Sequence, residues 1–329
     1  MAQRNIIVVG CSVGGVEALQ RLVAGLPKDF PASLFIVLHL APQGTSVLPN
    51  ILSRAGSINA VHPHDGEPIR SGRIYVAPPD NHMVLEDGRV RVTRGPKENR
   101  HRPAIDPLFR SAARWYGPRV IGVVLTGSLD DGTAGLLAVK QRGGIAIVQD
   151  PADAVAASMP RSALEIVNVD YVEPLDRIAP LLQKLVAVEV TENGTGKSLR
   201  LKKETEFAEL EMDAIEDENR TGTPSQFACP ECGGVLWEME GETLLRFRCR
   251  VGHAYTAGSL GVEQSEAVES ALWAAMRALE EGASLAQRMA KKAAANGHQS
   301  KLEERFPRAR ANENGTGRNP AQTHYGYQR

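Results

Sequence analysis

Five apolar runs constrain this chain more than any other feature: Ile6–Val9, Leu34–Leu38, Ile74–Ala77, Val120–Leu125 and Ile145–Val148. None alternates polar with apolar residues, as a strand with one wet face would. Continuous apolar strands belong in a mostly parallel sheet covered on both faces. Between them lie segments with the helical period: Val16–Leu26, Val47–Ser53, Pro107–Trp115, Thr133–Gln141, Pro160–Ile166 and Pro174–Val186. Asp106 and Pro107 read as N-cap and first residue of the third helix. The expected fold is α/β, a doubly wound, mostly parallel sheet over residues 4–190. One segment departs from the pattern. Arg73–Pro78, Met83–Glu86 and Arg89–Thr93, with Asp87-Gly88 as a hairpin turn, read as an antiparallel ribbon appended at the sheet edge.

Beyond residue 190 the composition changes. Residues 191–225 read as a linker followed by a charged helix, Lys203–Glu218, with solvated faces. Residues 226–261 hold a Cys/His cluster, and residues 262–295 form an Ala-rich helix with Leu272, Ala275, Met276 and Leu279 on one face. Residues 296–329 are polar and read as a disordered tail. A net charge of -1 over 329 residues gives no general reason to expect nucleic acid or an anionic membrane as partner. No apolar stretch approaches the roughly 20 residues that span a bilayer, and the N-terminus has no signal-peptide pattern. The expected location is cytoplasmic.

Ligand sites in a doubly wound sheet lie beyond the carboxyl ends of the strands. Gly10-Cys11-Ser12-Val13-Gly14 stands at such an end and matches a nucleophile elbow, G-x-S-x-G. His39 ends the next strand, and Asp130 and Asp131 follow the strand Val120–Leu125. The three loops open on one side of a parallel sheet. A serine attacks a carbonyl, a histidine takes its proton, and an aspartate fixes the histidine tautomer. The N–H groups of Ser12-Val13-Gly14-Gly15 are candidates for an oxyanion hole, and Gly14 and Gly15 leave room for a substrate to approach. The rival reading of the turn is a nucleotide or phosphate loop. A dinucleotide fingerprint, however, needs glycine where Ser12 stands and an acid where His39 stands. The order Ser, His, Asp also differs from that of ordinary α/β-hydrolases. A third reading is a non-catalytic receptor-binding scaffold.

These residues resemble the catalytic domain of the chemotaxis protein-glutamate methylesterases, the CheB family, over about residues 4–190. Gly10–Gly15 is similar to the family's G-A-S-T-G-G, and Val37-Leu38-His39 to the strand ending in its catalytic histidine. Ala77–Met83, Arg102–Phe109, Leu125–Gly132 and Met159-Pro160-Arg161 resemble four further motifs in the same order. The resemblance implies Ser12 as nucleophile, His39 as base and Asp131 as orienting carboxylate. It implies hydrolysis of glutamate γ-methyl esters on the cytoplasmic helices of methylated chemoreceptors, releasing methanol. Glutamine deamidation is a related family activity, and neither reaction needs a cofactor. The chain departs from the family pattern at Val13, which replaces threonine, and at Ser128 and Leu129, which replace Met-Gly. Residues 1–4 leave no room for the receiver domain usually fused ahead, so phosphorylation control within the chain is not expected.

Cys229-Pro230-Glu231-Cys232, then Cys249 and His253, supply three thiolates and an imidazole at zinc-ribbon-like spacing. With all four positions filled by protein the expected Zn2+ is structural, standing in for the core that so small a module lacks. Val235–Glu238 and Leu244–Arg248 read as strands between the ligand pairs. Arg246, Arg248 and Arg250 read as a solvated strand face. The module's expected role is contact or regulation, through a regulatory protein.

Overall fold

The computed structural model describes residues 2–40, 42–191, 199–209, 222–239 and 244–295. The chain opens with β1 (Ala2–Gln3), β2 (Ile6–Cys11), α1 (Gly15–Ala24) and β3 (Ser33–Leu38). Next come α2 (Leu48–Ala55), β4 (Ala60–Val61), β5 (Glu67–Pro68), β6 (Ile74–Val76), β7 (His82–Glu86) and β8 (Arg89–Thr93). They are followed by α3 (Ile105–Tyr116), β9 (Val120–Val124), α4 (Thr133–Gln141), β10 (Ile145–Gln149), α5 (Ser158–Ile166), β11 (Tyr171–Glu173), α6 (Leu175–Val186) and β12 (Glu189–Val190). The remaining elements are α7 (Leu199–Glu209), β13 (Thr223–Ala228), β14 (Val235–Glu238), β15 (Arg246–Cys249), β16 (Ala254–Thr256) and α8 (Ala257–Ala295).

Seven strands form one parallel sheet in the order β11-β10-β9-β2-β3-β6-β4. Alternate residues of β2 face opposite layers. Ile7, Val9 and Cys11 pack with α1, α2 and α6, whereas Ile6 and Val8 pack with α3, α4 and α5. Burial of both faces is the reason the inner strands β10, β9, β2, β3 and β6 are apolar, whereas the edge strand β11, Tyr171–Glu173, is only partly buried. The chain winds from β2 outward through β3, then returns to β9 on the other side of β2. The reversal makes the carboxyl ends of β9, β2 and β3 the topological switch point, the place where α/β sheets bind ligands.

The antiparallel ribbon is present as β7 and β8, turning at Gly88 with φ 72°. Two details differ from expectation. Ile74–Val76, read from sequence both as a sheet strand and as part of the ribbon, lies in the parallel sheet only, and the ribbon's third strand is β5. Helix α3 also begins earlier than the Asp106-Pro107 pair suggests, with Ala104 at the N-cap. Its first N–H groups, those of Ile105 and Asp106, donate to the carboxylate of Asp131 from another loop. Asp106 in turn accepts from the Gly132 and Gly135 N–H groups and caps α4.

The charged helix after the linker is described over Leu199–Glu209, and its expected extension past 209 lies outside the described residues, as do residues 192–198 and the tail 296–329. It is not solvated all round. Leu201, Glu204, Thr205 and Ala208 are buried where α7 meets α3, β7 and β8. Arg246 and Arg248, expected on a wet face, are each only 5% exposed, whereas Arg250 is exposed. They are buried because carboxylates await them. Arg246 donates to Glu204 at 2.8 Å and Arg248 to Glu98 at 3.2 Å, while Arg110 on α3 donates to both Glu98 oxygens. Residues 223–256 contribute an antiparallel sheet, β13-β14-β15-β16, with a small core of Leu236, Phe247, Tyr255 and Leu260.

Two compact units divide the chain, Met1–Glu266 and Ala267–Arg329. In the second, α8 continues to Ala295. No helix among the described residues is long and apolar enough to cross a membrane.

Candidate active site and Cys/His cluster

Ser12 and His39 leave adjacent strands in step. Cys11 is in register with Leu38, and the His39 N–H donates to the Cys11 carbonyl at 3.2 Å. Ser12 is tied to the next strand on the other side, where its N–H donates to the Thr126 carbonyl at 3.0 Å. Thr126 Oγ1 donates to the Val13 carbonyl. The turn is therefore braced against the loop that carries Asp131.

His39 Nε2 donates to Asp131 Oδ2 at 2.8 Å, with the two side chains 5% and 2% exposed. The other ring nitrogen, Nδ1, is buried and has no hydrogen-bond partner among the described residues. It is left with a lone pair to accept a proton. The ring stacks on His101, with centroids 3.6 Å apart. Burial first, and then the His39 ring, push His101 down to about 4, so this platform is neutral near pH 7.

Asp131 is saturated with donors. Oδ2 accepts from His39 and the Ile105 N–H; Oδ1 accepts from the Asn99 side chain and the Gly132 N–H. Burial opposes its charge, but His39 and the N–H donors outweigh burial and hold the carboxyl well below the usual range. The amino end of α3 adds favourable dipole charge. Asp130, the competing carboxylate, is pushed the other way by burial and lies against Thr256. Asp106 is pushed up to about 7 by its burial and by the charge of Asp131. Cys11 is fully buried, and burial pushes its thiol up, so it is no rival nucleophile.

The glycines of the turn act differently from expectation. A Cβ on Gly15 would meet Leu38 and Cys11 Sγ, and one on Gly14, at φ 76°, would meet Val155. They serve close packing and the left-handed turn rather than substrate approach. Of the four proposed oxyanion donors, Ser12 N–H and Gly15 N–H are already engaged, by Thr126 and by Ser12. Val13 and Gly14 N–H have no acceptor among the described residues. Leu129, where the family motif has glycine, sits at φ 64° and is held by Ser158 Oγ on its N–H.

A sequence profile described as CheB methylesterase matches residues 7–182. The chain belongs to the CheB methylesterase family. An Anaeromyxobacter dehalogenans protein named protein-glutamate methylesterase/protein-glutamine glutaminase 2 is 40% identical over 184 residues, which are 56% of this chain and 54% of that protein. A Leptospira interrogans relative is 41% identical over 180 residues, 54% of this chain and 93% of the relative. The chain thus spans about half of the first relative's length. The crystal structure of the Thermotoga maritima CheB methylesterase catalytic domain superposes with a TM-score of 0.54 at 35% identity, covering 56% of this chain and all of that domain. The CheB-type sheet is therefore the α/β fold expected.

Outside the CheB match, Cys229, Cys232, Cys249 and His253 converge, with their ligand atoms all within 4.8 Å of one another. Cys232 Sγ lies 3.7 Å from Cys249 Sγ, and His253 Nδ1 lies 3.6 Å and 3.5 Å from the sulfurs of Cys229 and Cys249. A tetrahedral Zn2+ requires S···S edges of about 3.8 Å and S···N edges of about 3.6 Å. Gly233, at φ 72°, closes the knuckle by donating its N–H to the Cys229 carbonyl. The donor set and spacing fit zinc.

Two residues beside the triad candidates were not singled out from sequence: Asn99 and His101. Both stand just ahead of the Arg102–Phe109 motif, and that adjacency is their only sequence signal.

Proposed function

We propose that this protein is a serine hydrolase that removes methyl groups from glutamate γ-methyl esters on the cytoplasmic helices of methylated chemoreceptors, and that Ser12, His39 and Asp131 are its triad. The observation that carries this reading is the buried 2.8 Å bond between His39 and Asp131, in step with Ser12 at the sheet's reversal point. Ser12 Oγ attacks the ester carbonyl as His39 Nδ1 takes its proton. Asp131 stabilises the imidazolium through Nε2. The oxyanion is met by the Val13 and Gly14 N–H groups. Collapse breaks the ester C–O bond, and His39 returns the proton to the leaving methoxide, giving methanol. Water then attacks the acyl-enzyme with His39 again as base, releasing glutamate and Ser12. A glutaminyl amide follows the same course with ammonia leaving. A cytoplasmic location follows from this substrate.

Residues 226–261 are proposed as a zinc-ribbon-like module holding one structural Zn2+ on Cys229, Cys232, Cys249 and His253, with a regulatory protein as its partner. No step of hydrolysis uses the metal. A fluorophosphonate probe followed by mass spectrometry tests the mechanism: one adduct on Ser12 is expected. Absence of labelling on folded protein would favour a non-catalytic scaffold.

A further inference from the structure

The Cys/His segment reaches the catalytic carboxylate through one side chain. Asn99 is 4% exposed and all four of its amide hydrogen-bonding positions are used. Nδ2 donates to Asp131 Oδ1 and to Asp106 Oδ2, both at 3.0 Å. Oδ1 accepts from the Thr256 N–H at 3.0 Å and from Ser259 Oγ at 3.2 Å. Its backbone adopts φ 48°, a left-handed conformation that asparagine tolerates better than most residues. The main chain is clamped as well, since Asn99 N–H donates to the Ala254 carbonyl at 2.8 Å.

The clamp is continuous with the metal ligands. His253 immediately precedes Ala254, and its carbonyl accepts from the Cys249 N–H at 2.9 Å across the turn joining β15 to β16. The same turn carries Gly252, whose carbonyl accepts from Arg248, the partner of Glu98. Asp130, on the same loop as Asp131, packs so closely on Gly258 that a Cβ there would lie 2.8 Å from its Oδ2. A mere tether would not need a saturated amide between the segment and the catalytic loop.

We propose that Asn99 is a positioning residue for Asp131, and that the metal-bound Cys/His segment holds it in place through Thr256 and Ser259. This rests on the readings that Ser12, His39 and Asp131 form the triad and that the cluster binds zinc. Zinc loss frees β16, releases the acceptor end of Asn99 and withdraws one donor from Asp131. Ile105, Gly132 and His39 still hold the carboxylate, so activity falls without vanishing. Loss of one hydrogen bond to a charged group corresponds to roughly 10- to 100-fold.

The test uses the full chain with Asn99→Ala, Ser259→Ala and Ser259→Thr, and wild type before and after zinc removal and re-addition. Methanol release gives kcat and KM, and proton NMR follows the downfield imidazole N–H signal of the His39–Asp131 bond. Asn99→Ala, Ser259→Ala and zinc removal are expected to lower kcat roughly 10- to 100-fold with KM little changed. They also move the N–H signal. Ser259→Thr and zinc re-addition restore both. An unmoved signal and an unchanged kcat in the two alanine variants would overturn the role of Asn99. Movement in the variants but none on zinc removal would overturn the link to the metal. If wild type releases no methanol, the esterase reading fails, and the N–H signal still decides the coupling.

Discussion

Asp130 and Asp131 are chain neighbours with opposite environments. Asp131 accepts from an imidazole, a side-chain amide and backbone N–H groups at the start of α3; Asp130 lies outside that cradle against Thr256. Asp131→Asn, measured by methanol release, is therefore expected to lower kcat by about 10³–10⁴-fold, and Asp130→Asn by less than about tenfold. The sequence narrowed the acid to this pair but not to one member by chemistry alone, because the donors come from Asn99 and Ile105, about 30 residues away. His39 was legible as a polar residue ending an apolar strand. His101 was not, since a stack is a tertiary fact. His101 titrates below its unfolded value, so the unfolded chain binds a proton first as pH falls. Stability is thus lost between about pH 6.5 and about pH 4. Buried His82, also lowered chiefly by burial, acts in the same sense. Urea unfolding of His101→Gln is expected to show a shallower decline over that window than wild type.

At the scale of elements, α3 and α7 were partly legible and their partners were not. The apolar period located α3, but its first turn is set by the carboxylate of Asp131 rather than by a local cap. The charges of α7 suggested solvent, yet Glu204 is 2% exposed because Arg110 and Arg246 converge on it. A charged residue in a sequence cannot announce a partner that lies 42 residues further along the chain, as Arg246 does. Removing one member of a buried ion pair strands the other, at about 3–5 kcal/mol. Glu204→Ala is expected to cost that much in denaturant unfolding, while Glu204→Ala combined with Arg246→Met is expected to recover part of it. Equal losses in the single and double variants would remove the ionic account of this contact.

At the scale of the molecule, the five inner strands of the parallel sheet were legible, since burial on both faces leaves an apolar signature, while the short edge strands β4 and β11 lack that signature and were not. The four metal-ligand candidates were legible from spacing. What the spacing did not convey is that their sheet is bound into the same compact unit as Ser12, His39 and Asp131, through Glu98, Asn99 and Glu204. Elemental analysis of protein purified without chelator is expected to find one zinc per chain. A strong chelator should lower the unfolding midpoint, whereas a chain without metal and with an unchanged midpoint would exclude a structural ion. The most direct measurement of the central claim is methanol released from a methylated chemoreceptor fragment by the full chain and by its Ser12→Ala variant. Steady release by the first and none above background by the second is the predicted result; equal release by both, or by neither, would contradict it.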